Sequence, residues 1–215
     1  MTKAQDTDFW FAAPHLSETM NTGVPLNRPT FLSISNATDQ TANVVITLYN
    51  GGSKMTIPAT ITPGTLFKHD FASALEVKTI ENPRGLAGTV TNFGVHIKSD
   101  VKVTAYYMGN HVASKDIYAL KGKSALGTSF YVPMQYDEYY PNDYQTWGET
   151  YDQIDIVATE DGTTVTVVPN KTVFISGQGG ATSPAGTPLI YNMDKGETVK
   201  IMESQIVGPA GPNRS

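Results

Sequence analysis

An alternation of apolar and polar residues in the segment 94–135 constrains the fold of this chain more than any other feature. The alternation runs over 95–98 and again over 101–107, with the polar pair Ser99-Asp100 between them. Because successive side chains of a strand point to opposite faces of a sheet, this pattern predicts two half-buried strands joined by a tight turn. Two short apolar runs complete a predicted four-strand meander: Ile117-Tyr118-Ala119-Leu120 and Phe130-Tyr131-Val132.

The rest of the chain also favours strands over helices. Glycine and proline interrupt it about every ten residues, a spacing typical of sandwiches and related β architectures. Three aromatic residues close to the N-terminus predict an anchored first strand over 8–14, and the runs 31–35 and 44–49 predict a strand pair. The dipeptide Asp161-Gly162 predicts a hairpin turn, since both residues accept the backbone angles that such turns need.

The second half of the chain repeats part of the first. Residues 37–46 match 158–167 without a gap, and 63–68 correspond to 195–200. Self-similarity of this kind indicates tandem sandwich-like β modules, or alternatively successive blades of a propeller. The predicted fold class is therefore all-β, with antiparallel β-sandwich-like modules.

The module boundaries follow from this repeat. Residues 1–150 form the predicted first module and residues 151–215 an incomplete second copy, which stops before a counterpart of the hairpin 88–107. We expect that the natural protein is longer or that another chain supplies the missing strands, because an unpaired sheet edge promotes aggregation.

Composition excludes several classes of protein. The chain has no cysteine, which rules out disulfides, thiolate metal sites and a cysteine nucleophile. Its net charge is −5, with fifteen lysines and arginines, whereas nucleic-acid binding calls for a basic stripe. No apolar run approaches the roughly 20 residues of a membrane helix, so we expect no membrane insertion.

Residues suited to catalysis or metal binding are scattered along the chain. The four histidines lack the spacing of a metal-binding hairpin or helix, and no Gly-x-Ser-x-Gly elbow is present. We therefore expect no enzymatic activity, no catalytic residues and no cofactor. Structural calcium is the one exception that stays open, because four aspartates offer the oxygen ligands that hard cations prefer: Asp6 and Asp8, with Asp116 or Asp161.

The segment 136–151 differs in composition from an ordinary β domain. It interleaves aromatic residues with acidic ones, and aromatic side chains with a polar tip are common in recognition surfaces. The segment either binds a protein or stacks on sugar rings, or its aromatic residues pack back onto the sheet as a lid between the two modules. The candidate binding residues are Tyr136, Tyr139, Tyr140, Tyr144, Trp147 and Tyr151.

Five motifs, in order along the chain, resemble the IgGFc-binding protein N-terminal domain family. They are 7–11 (TDFWF), 94–103 (GVHIKSDVKV), 114–120 (SKDIYAL), 124–128 (SALGT) and 157–165 (VATEDGTTV). The resemblance implies a non-enzymatic extracellular β module, of a kind found in a mammalian mucus protein and in surface or secreted proteins of Bacteroidota-type bacteria. The lack of cysteine suits a bacterial member. The family name does not imply Fc binding here, because no residue set for that activity can be carried over.

Three hypotheses for the function follow from the resemblance and the composition. The preferred one is an extracellular or cell-surface structural or adhesive module that binds protein or glycan partners. The alternatives are a carbohydrate-binding accessory domain or carbohydrate-active enzyme domain, and a subunit of a surface assembly that a neighbouring chain completes, giving a homo- or hetero-oligomer through an unpaired sheet edge.

Overall fold

The computed structural model describes residues 5–14, 30–50, 53–71, 81–111, 114–133 and 152–204. In these ranges the chain forms antiparallel sheets and two single 3₁₀ turns, Arg84–Leu86 and Gly122–Ala125, which confirms the predicted all-β fold. The strands are β1 Asp6–Ala12, β2 Thr30–Ser35, β3 Ala42–Asn50, β4 Ser53–Ile61, β5 Leu66–Phe71, β6 Val90–Thr91, β7 Gly94–His111, β8 Ser114–Ala119, β9 Gln153–Val157, β10 Thr163–Val167, β11 Val173–Phe174, β12 Thr182–Ser183, β13 Leu189–Met193 and β14 Thr198–Met202.

The long strand β7 organises the first unit, which comprises β1 to β5, β7 and β8. The N-terminal half of β7 pairs with β3 on one side and β1 on the other, while its C-terminal half pairs with β2 and β8. The strand order is β4-β3-β7-β2-β5, with β1 and β8 added on β7. The inward side chains of all these strands meet in one apolar core, which includes Phe9, Leu32, Ile34, Val44, Ile46 and Tyr107.

The predicted turn at Ser99-Asp100 is wrong, because β7 runs straight through it. Ser99 is buried and continues the inward series of Val95 and Ile97, so a small polar residue inside the strand looks like a break in the sequence pattern. The carboxylate of Asp100 is held by β3, where it accepts hydrogen bonds from the backbone N and the side-chain Nδ2 of Asn43 at 2.8 and 2.7 Å. These bonds lower the pKa of Asp100.

The end of the predicted meander is also wrong. The third strand exists as β8, which forms a hairpin with β7, but residues 130–132 are not in a strand. None of the described strands forms backbone hydrogen bonds of a sheet with these residues. Their side chains are exposed, that of Tyr131 almost completely. The three consecutive apolar residues therefore reflect an exposed apolar surface, not a strand with one buried face.

Two predicted strand pairings are wrong although all four strands exist. The runs 31–35 and 44–49 lie in β2 and β3, which both pair with β7 but not with each other. Asp161-Gly162 joins β9 to β10, which also lie in different sheets. Gly162 has a φ of +68°, so the turn uses its conformational freedom, but the chain passes from one sheet to the other instead of folding back as a hairpin.

The second unit comprises β6 and β9 to β14. Strand β14 lies between β6 and β9, and β10 pairs with β13. The two sheets enclose a second apolar core that includes Ala158, Tyr191, Met193, Val199 and Ile201. Strand β6 precedes β7 in the sequence but pairs with β14, so the chain segment around 90 contributes to the second core. The module boundary at residue 150 stays a prediction.

Strand pairing in the second unit follows that of the first. The pair β10 and β13 places Thr163 opposite Met193, as β3 and β4 place Ala42 opposite Ile61. At the start of β14, Ala158 exchanges backbone hydrogen bonds with Glu197 and Gly196 at 2.9 Å each. Asn36 does the same with Thr65 and Gly64 at 3.0 and 2.9 Å. Ala158 thus takes the place of Asn36, so the loop after it is one residue shorter than a gap-free alignment implies.

Candidate functional site

The outer face of the sheet half β4-β3-β7-β1 carries a group of aromatic, ionisable and polar side chains that are exposed or half-buried. Its other face is buried in the core, so the alternation along each strand sets which residues point outward. Cross-strand pairing then places residues from distant parts of the chain side by side. We define the outer face by Asp8 and Trp10 of β1, His96 and Lys98 of β7, and Val45 and Thr47 of β3.

An aromatic and ionisable cluster lies at the centre of this face. Trp10 is the cross-strand partner of His96, and the two rings stack with centroids 3.9 Å apart and an interplanar angle of 10°. His96 Nε2 lies 3.0 Å from Asp8 Oδ1, which fixes the imidazole plane over the indole. Burial lowers the pKa of His96 and outweighs the opposing effect of the Asp8 carboxylate.

One further residue of the first unit and one residue of the second unit border this cluster. Tyr49 of β3 has its ring centroid 5.8 Å from that of Trp10. Lys195 of the second unit has its Nζ 5.4 Å from the centroid of the indole. The backbone N of Lys195 donates to Asp161 Oδ1 at 3.0 Å, which joins the turn between β13 and β14 to the turn between β9 and β10. Burial, followed by the charge of Asp161, raises the pKa of the Tyr49 phenol.

A close backbone contact joins the two units beside the cluster. Gly94 N donates to Gly196 O at 3.0 Å, and a side chain at either glycine would overlap atoms of the facing unit. Gly196 has a φ of +86° and lies against the ring of Tyr49. The outer face therefore continues onto the second unit without a gap, and the aromatic cluster lies at that junction.

The cluster combines a hydrogen-bonded ionisable pair with an aromatic surface. His96 and Asp8 form a pair of the kind in which a carboxylate orients an imidazole. Aromatic rings beside hydrogen-bonding and charged groups provide large rigid contact area with polar specificity. The outer face thus has the composition of a recognition surface.

The four aspartates proposed for calcium do not converge in the described part of the chain. Asp6 accepts from the backbone N of Lys123, Asp8 lies against His96, Asp116 accepts from the backbone N of Ile117, and Asp161 accepts from Lys195. No group of three potential metal ligands occurs among the residues that the structure describes. Structural calcium therefore stays a prediction, and the described residues do not define a site for it.

A buried ion pair lies in the second unit, away from the outer face. Lys200 is completely buried, and its Nζ lies 2.8 Å from Asp155 Oδ1 and 3.0 Å from Gln153 Oε1. Burial lowers the pKa of Lys200, while Asp155 opposes this effect. The pair has no access to solvent for a substrate, so its role is structural.

The second unit also has a cavity, but it is small. The cavity lies beside Lys171, which forms ion pairs with Glu203 at 2.9 Å and Asp152 at 3.7 Å. Its volume is ≈ 40 Å³. Small-molecule sites occupy roughly 300–1,000 Å³, so this cavity can hold little more than water.

The sequence-predicted binding residues lie outside the described residues. This holds for the whole set Tyr136, Tyr139, Tyr140, Tyr144, Trp147 and Tyr151. Sequence reasoning did not find the outer-face cluster. Alternation in β1 and β7 would have placed Trp10 and His96 on strand faces, but the pairing that joins them across 85 intervening residues is a property of the fold.

The geometry defines a class of protein, an all-β module built from antiparallel sheets, and comparison with known proteins shows which family part of the chain is similar to. Residues 116–209 match the family described as IgGFc binding protein. The match starts within β8, covers all of the described second unit except β6, and spans less than half of the chain. It confirms the resemblance that the sequence motifs indicated.

Two solved structures show distant similarity to the chain. The crystal structure of Thermotoga maritima 1070 is 14% identical, covers 57% of this chain and 100% of its own, and has a TM-score of 0.35. The Anabaena sensory rhodopsin transducer is 20% identical, covers 47% of this chain and 91% of its own, and has a TM-score of 0.29. No curated protein matches the chain. Among the described residues, no helix is long and apolar enough to cross a membrane.

Proposed function

We propose that this chain is a non-enzymatic extracellular or cell-surface module that binds a protein partner through the outer face. The observation that supports this most is the Trp10–His96–Asp8 cluster, in which stacking and a 3.0 Å hydrogen bond hold an aromatic surface rigid. A surface that is ordered before binding loses little conformational entropy when a partner docks. The family match agrees, since the family is described by a protein that binds IgG Fc.

The proposal includes neither a reaction nor a cofactor. His96 and Asp8 of the outer face are hydrogen-bonded to each other, while Lys98 is exposed. Binding would use the indole and imidazole edges, the Lys98 ammonium and the Thr47 hydroxyl. A glycan partner is the alternative, because aromatic rings also stack on sugars.

An immobilised-chain binding assay separates these options. The probes are IgG Fc, the same Fc after enzymatic removal of its glycan, and a glycan array. Binding of both Fc forms would support a protein partner. Binding of glycosylated Fc alone, or of array glycans alone, would replace the protein partner by a glycan. No binding in any arm would contradict the proposal for the partner class that the family suggests.

The tyrosine-rich segment 136–151 remains a second candidate surface. We expect Trp147→Ala and Tyr140→Ala to weaken partner binding without changing the melting temperature if the segment is a recognition loop. A lower melting temperature with unchanged binding would instead assign these residues to packing. The two readouts come from the same purified variants, so each variant decides between the roles.

A further inference from the structure

The two units differ at one sheet edge. In the first unit, β3 pairs with β4 on one side and with β7 on the other. In the second unit, β10 pairs with β13 in the matching register, but no described strand pairs with its other edge. The position that β7 occupies beside β3 therefore has no strand among the described residues beside β10.

Side-chain burial differs in the same place. Val44 and Ile46 of β3, which has β7 beside it in the sheet, are 1% and 0% exposed. Their counterparts by register, Val165 and Val167, face the second core but are only partly buried. Burying such apolar surface is favourable by about 25 cal/mol per Å², so a strand added beside β10 would gain free energy that the present edge lacks.

The composition of β10 also differs from that of the outermost strands in the first unit. Strand β4 contains Pro58 and Lys54, and β5 contains Lys68 and Asp70. Proline and charged side chains are common devices that prevent a sheet edge from pairing with another chain. Strand β10 has the sequence TTVTV, which contains only residues that favour strands and none that block pairing.

From these three observations we propose that the edge of β10 away from β13, which none of the described strands occupies, is a strand-acceptor site. Its occupant is an extended peptide segment that pairs antiparallel to β10 and carries apolar residues at alternate positions, as β7 does over 95–103. In the register of the first unit, the residue equivalent to Ile97 lies opposite Val167, and the residue equivalent to Ser99 lies opposite Val165. Main-chain hydrogen bonds would supply affinity, and the alternate apolar side chains would supply specificity.

This inference is independent of the partner-binding function proposed above, because it concerns the opposite unit and a backbone edge. A strand acceptor on a surface module would allow a different protein that carries such a segment to join this chain, because β7 of an identical chain is already paired with β1, β2, β3 and β8. The outer face would remain exposed in such an assembly, since β10 contributes no residue to it.

A peptide with the sequence of residues 94–105 (GVHIKSDVKVTA) tests the acceptor on the intact chain. The control peptide has threonine in place of its three valines and its isoleucine, which keeps the strand propensity but removes the alternate apolar side chains. The readout is amide hydrogen exchange of residues 163–167, with residues 42–50 as an internal reference. A site that is about 90% occupied would slow exchange about tenfold at the bonded amides, and the reference should not change.

Each result of this experiment bears on the proposal. Slowed exchange at 163–167 with the β7 peptide alone supports it. Unchanged exchange at saturating peptide, equal protection by the control peptide, or protection of 42–50 instead would overturn it. None of these results changes the prediction for Fc or glycan binding, so failure of the acceptor and failure of the proposed function remain distinguishable.

Discussion

The junction between the two units predicts a large effect of Gly196→Ala on stability. At a φ of +86° an alanine pays about 1–2 kcal/mol for the left-handed conformation. Its methyl group would also overlap the ring carbons of Tyr49, which is buried against Trp10 and has little room to move. Overpacking of this kind costs about 1–3 kcal/mol. We therefore expect the free energy of unfolding to fall by about 2–5 kcal/mol, measured by urea denaturation.

Gly64 provides the matched control. It occupies the same position of the corresponding turn in the first unit, with a φ of +72°, but a side chain there would meet no atom within 4 Å. Gly64→Ala should therefore cost only the conformational term of about 1–2 kcal/mol. Equal losses in the two variants, with unchanged denaturant slopes, would refute a tight junction at Gly196 and with it the continuity of the outer face across the units.

Two further predictions concern ionisable groups. A Trp147→Phe variant leaves Trp10 as the fluorescent tryptophan. Acid should quench its fluorescence with a midpoint below the usual pKa range of histidine, because burial lowers the pKa of His96, which stacks on Trp10. Adding His96→Gln should abolish this transition, which would identify His96 as the titrating group. As the pH falls, His96 takes up its proton in the unfolded chain before it does so in the folded one. The free energy of unfolding should therefore fall as the pH drops from about 6.5 through the lower pKa of His96 in the folded chain. A free energy of unfolding that stays constant over this pH window, measured by urea denaturation, would contradict the stacked arrangement. Lys200→Met should cost about 3–5 kcal/mol, because it leaves Asp155 buried without its cation. Adding Asp155→Leu should recover most of that loss in thermal denaturation, and no recovery would mean that Gln153 and the surrounding groups dominate the cost.

Local pattern was sufficient to predict most strands of the first unit but not their partners. Alternation located both halves of β7, a run of three aromatic residues located β1, and an apolar run located β3. The local pattern failed at Ser99, where a small polar residue is buried inside a strand, and at 130–132, where apolar residues are exposed. Strand pairing was harder to predict from the sequence than strand positions, because β2 and β3 are neighbours in sequence but both pair with the distant β7.

The candidate site depends on that pairing. Trp10 lies in a short aromatic run and His96 in an alternating strand, and neither pattern contains the register that stacks one ring on the other. Composition instead directed attention to the tyrosine-rich segment 136–151, whose role stays a prediction. A pair of residues that is distant in sequence gives no local signal, so sequence reasoning recovered the fold class and family better than the site.

Binding of Fc to two lysine variants tests the central claim that the outer face is the recognition surface. Lys98 lies opposite Asp8 on this face, whereas Lys102 is exposed on the same strand past Ser99, where the ladder with β3 ends. Lys98→Glu and Lys102→Glu make the same change of charge at surface positions. Because Lys98→Glu places a second carboxylate opposite Asp8, thermal denaturation of both variants checks that the fold is retained. We predict that Lys98→Glu weakens binding of Fc at least about tenfold, a loss of about 1.4 kcal/mol, while Lys102→Glu retains the wild-type affinity. Equal affinity of the two variants for a probe that the wild-type chain binds would contradict the assignment.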